Sequence, residues 1–398
     1  MPKERYDVCA AVISDLRFDA RVWKEVRSLA AAGYRVRLIG CHYEGAISPQ
    51  HSNGNIDVFT VSLGARSGRV SRFQRARTVL RLWREILVTR AAVYHAHNVH
   101  VGPAAWVASR LRRMALVYDA HELYGEVLGD STADRLGASV ERRLERFLAR
   151  RSDLVITTNG FRAQRLQERH GALRIEVLAN VPAIVERVEP VDPGYPKGAK
   201  VLLYQGGVYA EHRAFRQTIE ALTHLDEFHF VIIGFGRDSE LERIANWAQQ
   251  YGVSERVHLL PPRPFEELVQ TAAAASVGIV PIMPRRDNDV LADTNKLFEY
   301  LMAGLPVVAS DLPEMQRVLS SGDVPVGELF DPQSPESIAG AVRSVIGDET
   351  LYQQRRKEAR RLALTRFNWN IEERRLIALY EELLAPTAAT TTPKDVLG

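Results

Sequence analysis

Cysteine is scarce in this sequence, which limits the kinds of site that the chain can build. Of 398 residues only Cys9 and Cys41 are cysteine, and both lie in apolar, strand-like runs near the start. Neither belongs to a Cys-x-x-Cys pair or has a histidine at ligand spacing, which excludes a structural zinc site. We expect both to be core thiols of a protein from a reducing compartment.

Long hydrophobic runs are also missing. The apolar run at 8–13 is too short for the hydrophobic region of a signal peptide, and the longest apolar stretch, 271–283, is too short to span a bilayer. The formal net charge is only +3, so the chain has no overall attraction to nucleic acid. These absences predict a cytoplasmic protein that does not bind nucleic acid.

What is present is the composition of a soluble globular protein, 46% hydrophobic and 25% charged. A chain of 398 residues is too long for one compact core and suits two domains. Apolar runs alternate with amphipathic stretches throughout, the pattern of βα units around a parallel sheet. We therefore predict an α/β fold with two Rossmann-like, doubly wound domains.

The predicted strands fall into two series. They lie at 7–14, 35–40, 58–62, 93–96, 115–119, 154–157 and 176–178, and then at 201–204, 228–233, 257–260, 277–281, 307–310 and 327–330. The series predict an amino-terminal domain at 1–185 and a carboxyl-terminal domain at 200–365, joined by a Pro- and Gly-rich linker at 186–199. A final helix is expected at 366–384, and the Thr- and Ala-rich residues 385–398 are typical of a disordered tail.

The segment 293–308 carries the strongest functional signal. Thr294 is placed to cap a helix with an apolar inward face, and Gly304 and Pro306 end that helix before a buried strand. The free N–H groups and positive dipole end of such a helix would face a ligand phosphate.

Three polar residues on this helix extend the signal, although such residues are also common on a solvated helix face. Asn295 and Lys296, in an exposed first turn, add a donor and a full charge. Glu299, about one turn further on, is placed to accept both hydroxyls of a ribose.

A second phosphate site is predicted after the first strand of the carboxyl-terminal domain. Gly206 and Gly207 allow backbone amides to approach an oxyanion, and Arg213 can bind a phosphate with two parallel N–H groups. The plain alternative is a tight turn with an exposed arginine. Gly234, after the next strand, belongs to a Gly-x-Gly fragment that is weak evidence alone.

Histidines follow two strands of the amino-terminal domain, where ligands of doubly wound sheets bind. His121 is the candidate catalytic residue, and His97 is a candidate polar wall of the acceptor site. His95, His97 and His100 suggest a metal, but no carboxylate or thiol ligand lies near them in the sequence. Asp287 to Asp289 imitates a metal-binding Asp-x-Asp, but Arg285 and Arg286 would repel a cation, so we expect a solvated or sugar-facing loop.

The segment 293–308 resembles the donor site of glycosyltransferase family 4, the retaining nucleotide-sugar transferases of the GT-B fold. Residues 118–122 resemble the family's Asp-x-His-Glu site, and 19–25 also looks like the family. The resemblance covers most of the chain, is strongest at 200–310, and implies a carboxyl-terminal helix that crosses back onto the first domain.

The resemblance also implies roles for individual residues. Donor binding falls to Gly206, Gly207, Gly234, Arg263, Asp293, Thr294, Asn295 and Glu299, and catalysis to His121, Arg213 and Lys296. Arg263 lies where the family grips the base through backbone atoms. Many members have an acidic residue that touches the donor sugar eight residues before the ribose-binding Glu, where this chain has Leu291, so Asp293 or Asp289 would replace it.

The function implied is transfer of a sugar, with retention and without a metal, from a nucleoside diphosphate, UDP favoured, to a hydroxyl acceptor. Two alternatives stay open, a sugar-nucleotide 2-epimerase of the same fold and a catalytically silent nucleotide-binding subunit. The basic, amphipathic segment 66–84, rich in arginine, is either a solvated helix face or a peripheral contact with anionic membrane.

Overall fold

The computed structural model describes residues 5–17, 19–43, 54–64, 72–126, 132–171, 174–210 and 212–385. Over these residues, strands and helices alternate as the sequence predicts. The strands are β1 (Arg5–Asp15), β2 (Val36–His42), β3 (Ile56–Ser62), β4 (Arg90–Ala96), β5 (Ala115–Asp119), β6 (Leu154–Thr157), β7 (Ile175–Val177), β8 (Lys200–Gln205), β9 (Phe228–Ile233), β10 (Val257–Leu260), β11 (Val277–Val280), β12 (Val307–Ser310) and β13 (Gly327–Phe330). The helices are α1 (Ala20–Ala31), α2 (Arg72–Val88), α3 (Gly102–Arg112), α4 (Thr132–Arg151), α5 (Gly160–His170), α6 (Phe215–Ala221), α7 (Asp238–Gln250), α8 (Leu268–Ala273), α9 (Asp287–Val290), α10 (Asn295–Ala303), α11 (Pro313–Leu319), α12 (Pro335–Ile346), α13 (Glu349–Thr365) and α14 (Trp369–Leu384).

The strands form two sheets, ordered β3-β2-β1-β4-β5-β6-β7 and β10-β9-β8-β11-β12-β13. Strands of both sheets pair in parallel, for example β1 with β4 and β8 with β11. In each sheet the chain winds outward from its first strand and then resumes on the other side, so both sheets are doubly wound. The switch points lie between β1 and β4 and between β8 and β11, where such sheets bind ligands.

All the predicted strands are present, and β5, β6, β9, β10, β12 and β13 have the predicted bounds. The largest error is at β4, which begins at Arg90 instead of residue 93. The strand extends beyond its apolar residues, because Arg90 still pairs with Arg5 of β1. Helix α14 begins at Trp369, three residues after the predicted start, because α13 runs on to Thr365.

The chain divides into two compact units. The first comprises 1–119, 151–154 and 373–398. Its helix α1 begins at Ala20, directly after Asp19, whose side chain caps the helix by accepting a hydrogen bond from the Val22 N–H at 3.2 Å. Most of α14 belongs to this unit, and there the Tyr380 hydroxyl bonds to Nδ1 of the buried His95 at 2.7 Å. The two cysteines are buried and free, as expected of core thiols.

The second unit comprises 120–150 and 155–372. Its sheet has an apolar cluster on each face, with Leu203 and Val231 in one cluster and Leu202 and Phe230 in the other. Successive side chains of a strand point to opposite faces of the sheet, and both faces are packed here. The loops at the strand ends are therefore the part of the sheet that can form a site. The domain bounds given by the sequence stay a prediction, and the tail from residue 386 onward lies outside the described residues. In the described part of the chain, each helix is too short or too polar to cross a bilayer.

Candidate active site

Helix α10 points its first turn into the candidate site. It begins at Asn295, and Gly304 ends it in the left-handed region with φ of 66°. Thr294 occupies the capping position but its side chain makes no capping bond, so that prediction was wrong. The Leu297 N–H donates to the Thr294 carbonyl at 3.0 Å instead. Within the described residues, the N–H groups of Asn295 and Lys296 have no partner, which leaves them for a ligand.

Lys296 is buried, only 8% exposed, and the prediction of an exposed first turn was wrong for it. Its Nζ lies 5.0 Å from the centroid of the Tyr204 ring. Burial, with a further contribution from the charge of Arg213, lowers the pKa of Lys296 to about 7, while Glu299 acts in the opposite direction. Two cations are therefore held together in a site that favours their neutralisation by an anion.

Two glycine turns meet beside Lys296. Gly206 has φ of 131°, and a Cβ on it would lie 3.5 Å from Cε of Lys296. A Cβ on Gly234 would lie 1.9 Å from the Gly206 carbonyl oxygen, which no side chain tolerates. The turns after β8 and β9 are thus packed backbone against backbone, as close approach to a phosphate requires.

Arg213 lies at the edge of the same cluster. It pairs with Ile282 in an isolated antiparallel bridge, and its Nη1 donates to the His212 carbonyl at 3.1 Å. Burial raises the pKa of Tyr204, and the charge and hydrogen bond of Arg213 oppose that shift. The Tyr204 hydroxyl also donates to the Gly207 carbonyl at 2.7 Å. The structure therefore brings the predicted diphosphate residues together around Tyr204, which the sequence did not single out.

Asp293, just before α10, is the better placed of the two residues predicted to replace the acid missing at Leu291. Its Oδ1 accepts from the Thr158 hydroxyl at 2.8 Å, while Oδ2 is buried without a partner among the described residues. Asp289 instead forms an ion pair with Arg286 at 3.2 Å. A buried carboxylate oxygen without a partner is rare in proteins and is expected to meet a ligand.

Arg162, on α5, connects Asp293 with the candidate catalytic histidine. Its guanidinium donates to the carbonyls of His121 and Leu291, and lies 3.7 Å from Oδ1 of Asp293. Arg162 is buried, and sequence reasoning missed it. The available signal was the polar pair Thr158-Asn159 directly after β6, since α5 then begins at the carboxyl end of that strand.

Asn288 fixes the segment around His121 from the other side. Its Nδ2 donates to the Leu123 carbonyl, and the Leu123 N–H donates to its Oδ1, both at 2.7 Å. The prediction of a solvated or sugar-facing loop at 287–289 was wrong, because these residues form α9 and Asp289 is buried. His121 itself is half-buried, and its catalytic role stays a prediction.

Arg263 is not part of this cluster of contacts. Its Nη2 donates to the Pro193 carbonyl at 3.0 Å, and its Nη1 lies 3.7 Å from Glu267. The Arg263 side chain therefore connects the loop after β10 to residue 193. Only its backbone is then left to contact the donor, as the resemblance implies.

The first unit contains a separate buried cluster around His97. The prediction that no carboxylate lies near His95 and His97 was wrong. Glu25 and Asp119 place ligand atoms within 4.8 Å of those of His95 and His97. Arg21, however, binds both oxygens of Asp119 at 2.7 and 3.1 Å and lies 3.2 Å from Glu25. The Arg21 guanidinium therefore already binds both carboxylates. His97 is fully buried against Asp119, and its role in binding the acceptor substrate stays a prediction.

Comparison with known proteins agrees with this arrangement. A model of the glycosyl transferase 4-like domain matches residues 19–181, and a model of glycosyl transferases group 1 matches residues 199–348. The D-inositol 3-phosphate glycosyltransferase of Corynebacterium jeikeium is 27% identical over 310 residues, which are 73% of this chain and 72% of that protein.

Solved structures show the same fold at lower identity. Sucrose-phosphate synthase from Thermosynechococcus elongatus has a TM-score of 0.77 at 17% identity, covering 95% of this chain and 99% of that one. The Anabaena protein HepE, in complex with UDP and glucose, has a TM-score of 0.70 at 17% identity, covering 94% and 99%.

The two doubly wound sheets and the carboxyl-terminal helix are those of a GT-B glycosyltransferase. The two matching models together span about four fifths of the residues, and the chain belongs to glycosyltransferase family 4. It is a glycosyltransferase, as the resemblance predicted, and thus an enzyme of carbohydrate biosynthesis.

Proposed function

We propose that this glycosyltransferase moves a sugar from a nucleoside diphosphate to an acceptor hydroxyl, and that its donor is a UDP-sugar. The observation that carries the proposal is the buried ammonium of Lys296 beside Arg213, with its pKa lowered to about 7. A diphosphate would neutralise this pair, accept the amides of Asn295 and Lys296, and contact the turn at Gly206. The complex of HepE with UDP and glucose supports the choice of base.

In the proposed reaction the bond between the anomeric carbon and the diphosphate oxygen breaks, and the electron pair stays on the diphosphate. The acceptor oxygen bonds to the same face of the sugar, which retains the configuration, and its proton passes to the departing phosphate. Lys296, Arg213 and the first turn of α10 stabilise the charge on the leaving group, each preorganised donor contributing on the order of 3 kcal/mol. Because the protein itself supplies this positive charge, we propose that the reaction requires no metal.

The remaining polar groups suit the rest of the donor. Glu299, half-buried one turn into α10, is the proposed acceptor of the two ribose hydroxyls. Asp293 presents an unpartnered oxygen, and Thr294 a buried hydroxyl without a partner among the described residues. We propose that these two atoms bind the sugar in place of the family's missing acid, next to His121.

The acceptor is a hydroxyl compound, and α2 is a proposed contact with anionic membrane. Arg66 and Arg69 of the basic segment lie outside the described residues, but α2 leaves Phe73 71% and Leu80 63% exposed. Exposed arginines, including Arg77 and Arg81, flank these apolar side chains. Such a face suits a lipid surface with negative charge.

The test is a panel of UDP-, GDP-, dTDP- and ADP-sugars, each incubated with hydroxyl acceptors with and without EDTA. We expect release of UDP, a product whose anomeric proton coupling matches that of the donor, and no loss of rate with EDTA. Loss of activity with EDTA would overturn metal independence. An epimerase would convert donor alone into its epimer, and a silent subunit would bind UDP without turnover.

A further inference from the structure

Two histidines lie side by side at one edge of the second unit's sheet. Nδ1 of His229, on β9, and Nε2 of His258, on β10, are 2.8 Å apart. Their rings stack, with centroids 5.1 Å apart and planes 17° from parallel. In the described part of the chain β10 is the edge strand of this sheet. Both imidazoles are partly exposed, so an ion from solution can reach them.

The pairing of the two strands explains this contact. His258 pairs with Val231, and His229 lies two residues before Val231 on the same strand. Side chains two positions apart on a strand share a face, so the two histidines are diagonal neighbours on one face of the sheet. The strands therefore fix the distance between the two backbones. The pair lies near the amino ends of β9 and β10, whereas the loops of the candidate active site follow the carboxyl ends of their strands.

The two facing nitrogens are separated by the distance that a metal ion requires. Zn–N bonds are about 2.0–2.1 Å long, and an angle of roughly 90–110° between two of them places the nitrogens about 3 Å apart. The observed 2.8 Å between His229 and His258 is close to this separation. Between neutral imidazoles, one of these nitrogens donates a hydrogen bond to the other. If the donor ring carries its proton on its other nitrogen instead, both facing nitrogens present lone pairs to an ion.

The surroundings favour neutral imidazoles, the form that binds a metal. Burial first, and then the charge of Arg256, lowers the pKa of His229. Burial first, and then His229, lowers the pKa of His258, while Glu255 acts in the opposite direction. The guanidinium of Arg256 itself donates to two backbone carbonyls, at 2.9 and 2.8 Å. Glu255 places a negative charge near the pair, which offsets part of the repulsion between Arg256 and a bound cation.

We propose that His229 and His258 together bind one divalent transition-metal ion of the kind that prefers imidazole, such as Zn²⁺ or Cu²⁺, and that the ion fastens the edge strand β10 to β9. Water completes the coordination, so this is an open site and not the closed, cysteine-containing kind that the sequence excludes. An ion that binds the folded state stabilises it. The inference does not depend on the proposed function, because the ion takes no part in sugar transfer.

The test titrates Zn²⁺ alone into the metal-free, full-length protein by calorimetry at neutral pH. We expect one Zn²⁺ to bind at this pair, with affinity about tenfold weaker or more in His229→Gln and in His258→Gln, because each variant replaces a two-point attachment with a one-point attachment. His224→Gln is the matched control, since it removes an exposed histidine of the same unit from outside the pair. Zn²⁺ should also raise the melting temperature of the wild type and of this control, but not of the other two variants.

Cu²⁺ in place of Zn²⁺ gives a readout on the wild type alone, which decides the matter even if a variant does not fold. At one equivalent, electron paramagnetic resonance should show hyperfine splitting from two imidazole nitrogens. Fewer than two nitrogens, no binding of Zn²⁺ by the wild type, or equal Zn²⁺ affinity in His258→Gln and His224→Gln would overturn the inference. Transfer activity enters neither experiment, so these outcomes are independent of those that test the proposed function.

Discussion

Asn288 and Leu123 are joined by two hydrogen bonds of 2.7 Å although 165 positions separate them in the chain. The side-chain amide satisfies both the N–H and the carbonyl of one residue, in the way that a neighbouring β-strand would. His121 lies two residues before this anchor, so its position depends on a residue that follows β11.

We expect Asn288→Ala to lower the rate of transfer while UDP affinity is retained, because the anchor holds the segment of His121 and not α10. Two lost hydrogen bonds, at about 1 kcal/mol each, should also lower the free energy of unfolding. Asn288→Asp keeps the acceptor for the Leu123 N–H and should recover part of both losses. A parallel loss of UDP affinity in Asn288→Ala would contradict the assignment.

Lys296→Met should reduce turnover by roughly 100-fold or more and leave the folded state intact. The folded-state pKa of Lys296, about 7, is below its ordinary value of 10.5, so the unfolded chain binds more protons between these pH values. The stability of the wild type therefore gains a contribution that rises with pH over this window. Urea unfolding at pH 7 and pH 9 should show a smaller rise in the variant, and undiminished turnover would rule out the catalytic role.

UDP binding should take up protons above pH 7. Lys296 is then largely neutral in the free protein, and a diphosphate beside it favours the charged ammonium. Calorimetry at pH 8 in buffers of different ionisation enthalpy should show uptake of up to one proton per UDP. Lys296→Met should abolish that uptake, and the same dependence on buffer in both proteins would remove Lys296 as its source.

His121→Ala should lower the rate steeply while UDP affinity stays within a few-fold and the melting temperature hardly changes. Several contacts that hold this segment are made by the backbone, among them those of Arg162 with the His121 carbonyl and of Asn288 with Leu123, and removing the imidazole leaves these in place. Thermal unfolding and transfer kinetics are the measurements. A large fall in melting temperature would instead identify His121 as a structural residue.

Vesicles of anionic lipid should sediment the protein at low salt, and neutral vesicles should not. Each arginine near an anionic surface contributes about 1 kcal/mol, screened by salt, so changing Arg72, Arg75 and Arg77 to Ser should weaken binding strongly. Phe73→Ser with Leu80→Ser, which keeps every charge, tests the apolar part of the same face. Negligible binding to both kinds of vesicle would point to a soluble acceptor.

The strand positions could be predicted because each strand is a short apolar run bounded by polar or turn residues. The position of α10 could be predicted for a similar reason, since Gly304 and the apolar face of the helix are local signals. Charged residues that fold into the interior gave no such signal. Lys296 is buried because the turn at Gly206 and the ring of Tyr204 cover it, and both come from strand β8 and its loop.

The contacts of Arg162 and Asn288 were missed because their partners are distant in sequence. Asn288 reaches Leu123 across 165 positions of the chain, and Arg162 reaches Leu291 across 129. Periodicity reports which face of an element is buried but not which loop carbonyls converge on one guanidinium. For the same reason the sequence did not show that Glu25 and Asp119 lie near His97. These residues are distant in sequence, and the packing of neighbouring strands and helices brings them together.

The bond between Tyr380 and His95 bears on how members of this family can be recombined. The first unit is discontinuous in sequence, because the residues from 373 onward, and with them most of α14, belong to it. A chimaera that joins the amino-terminal half of one enzyme to the carboxyl-terminal half of another would replace Tyr380 with a residue from a different lineage, against the unchanged His95 and Glu25. A chimaera therefore needs two crossover points, the second of them before α14. The final helix and the rest of the first unit then come from the same enzyme.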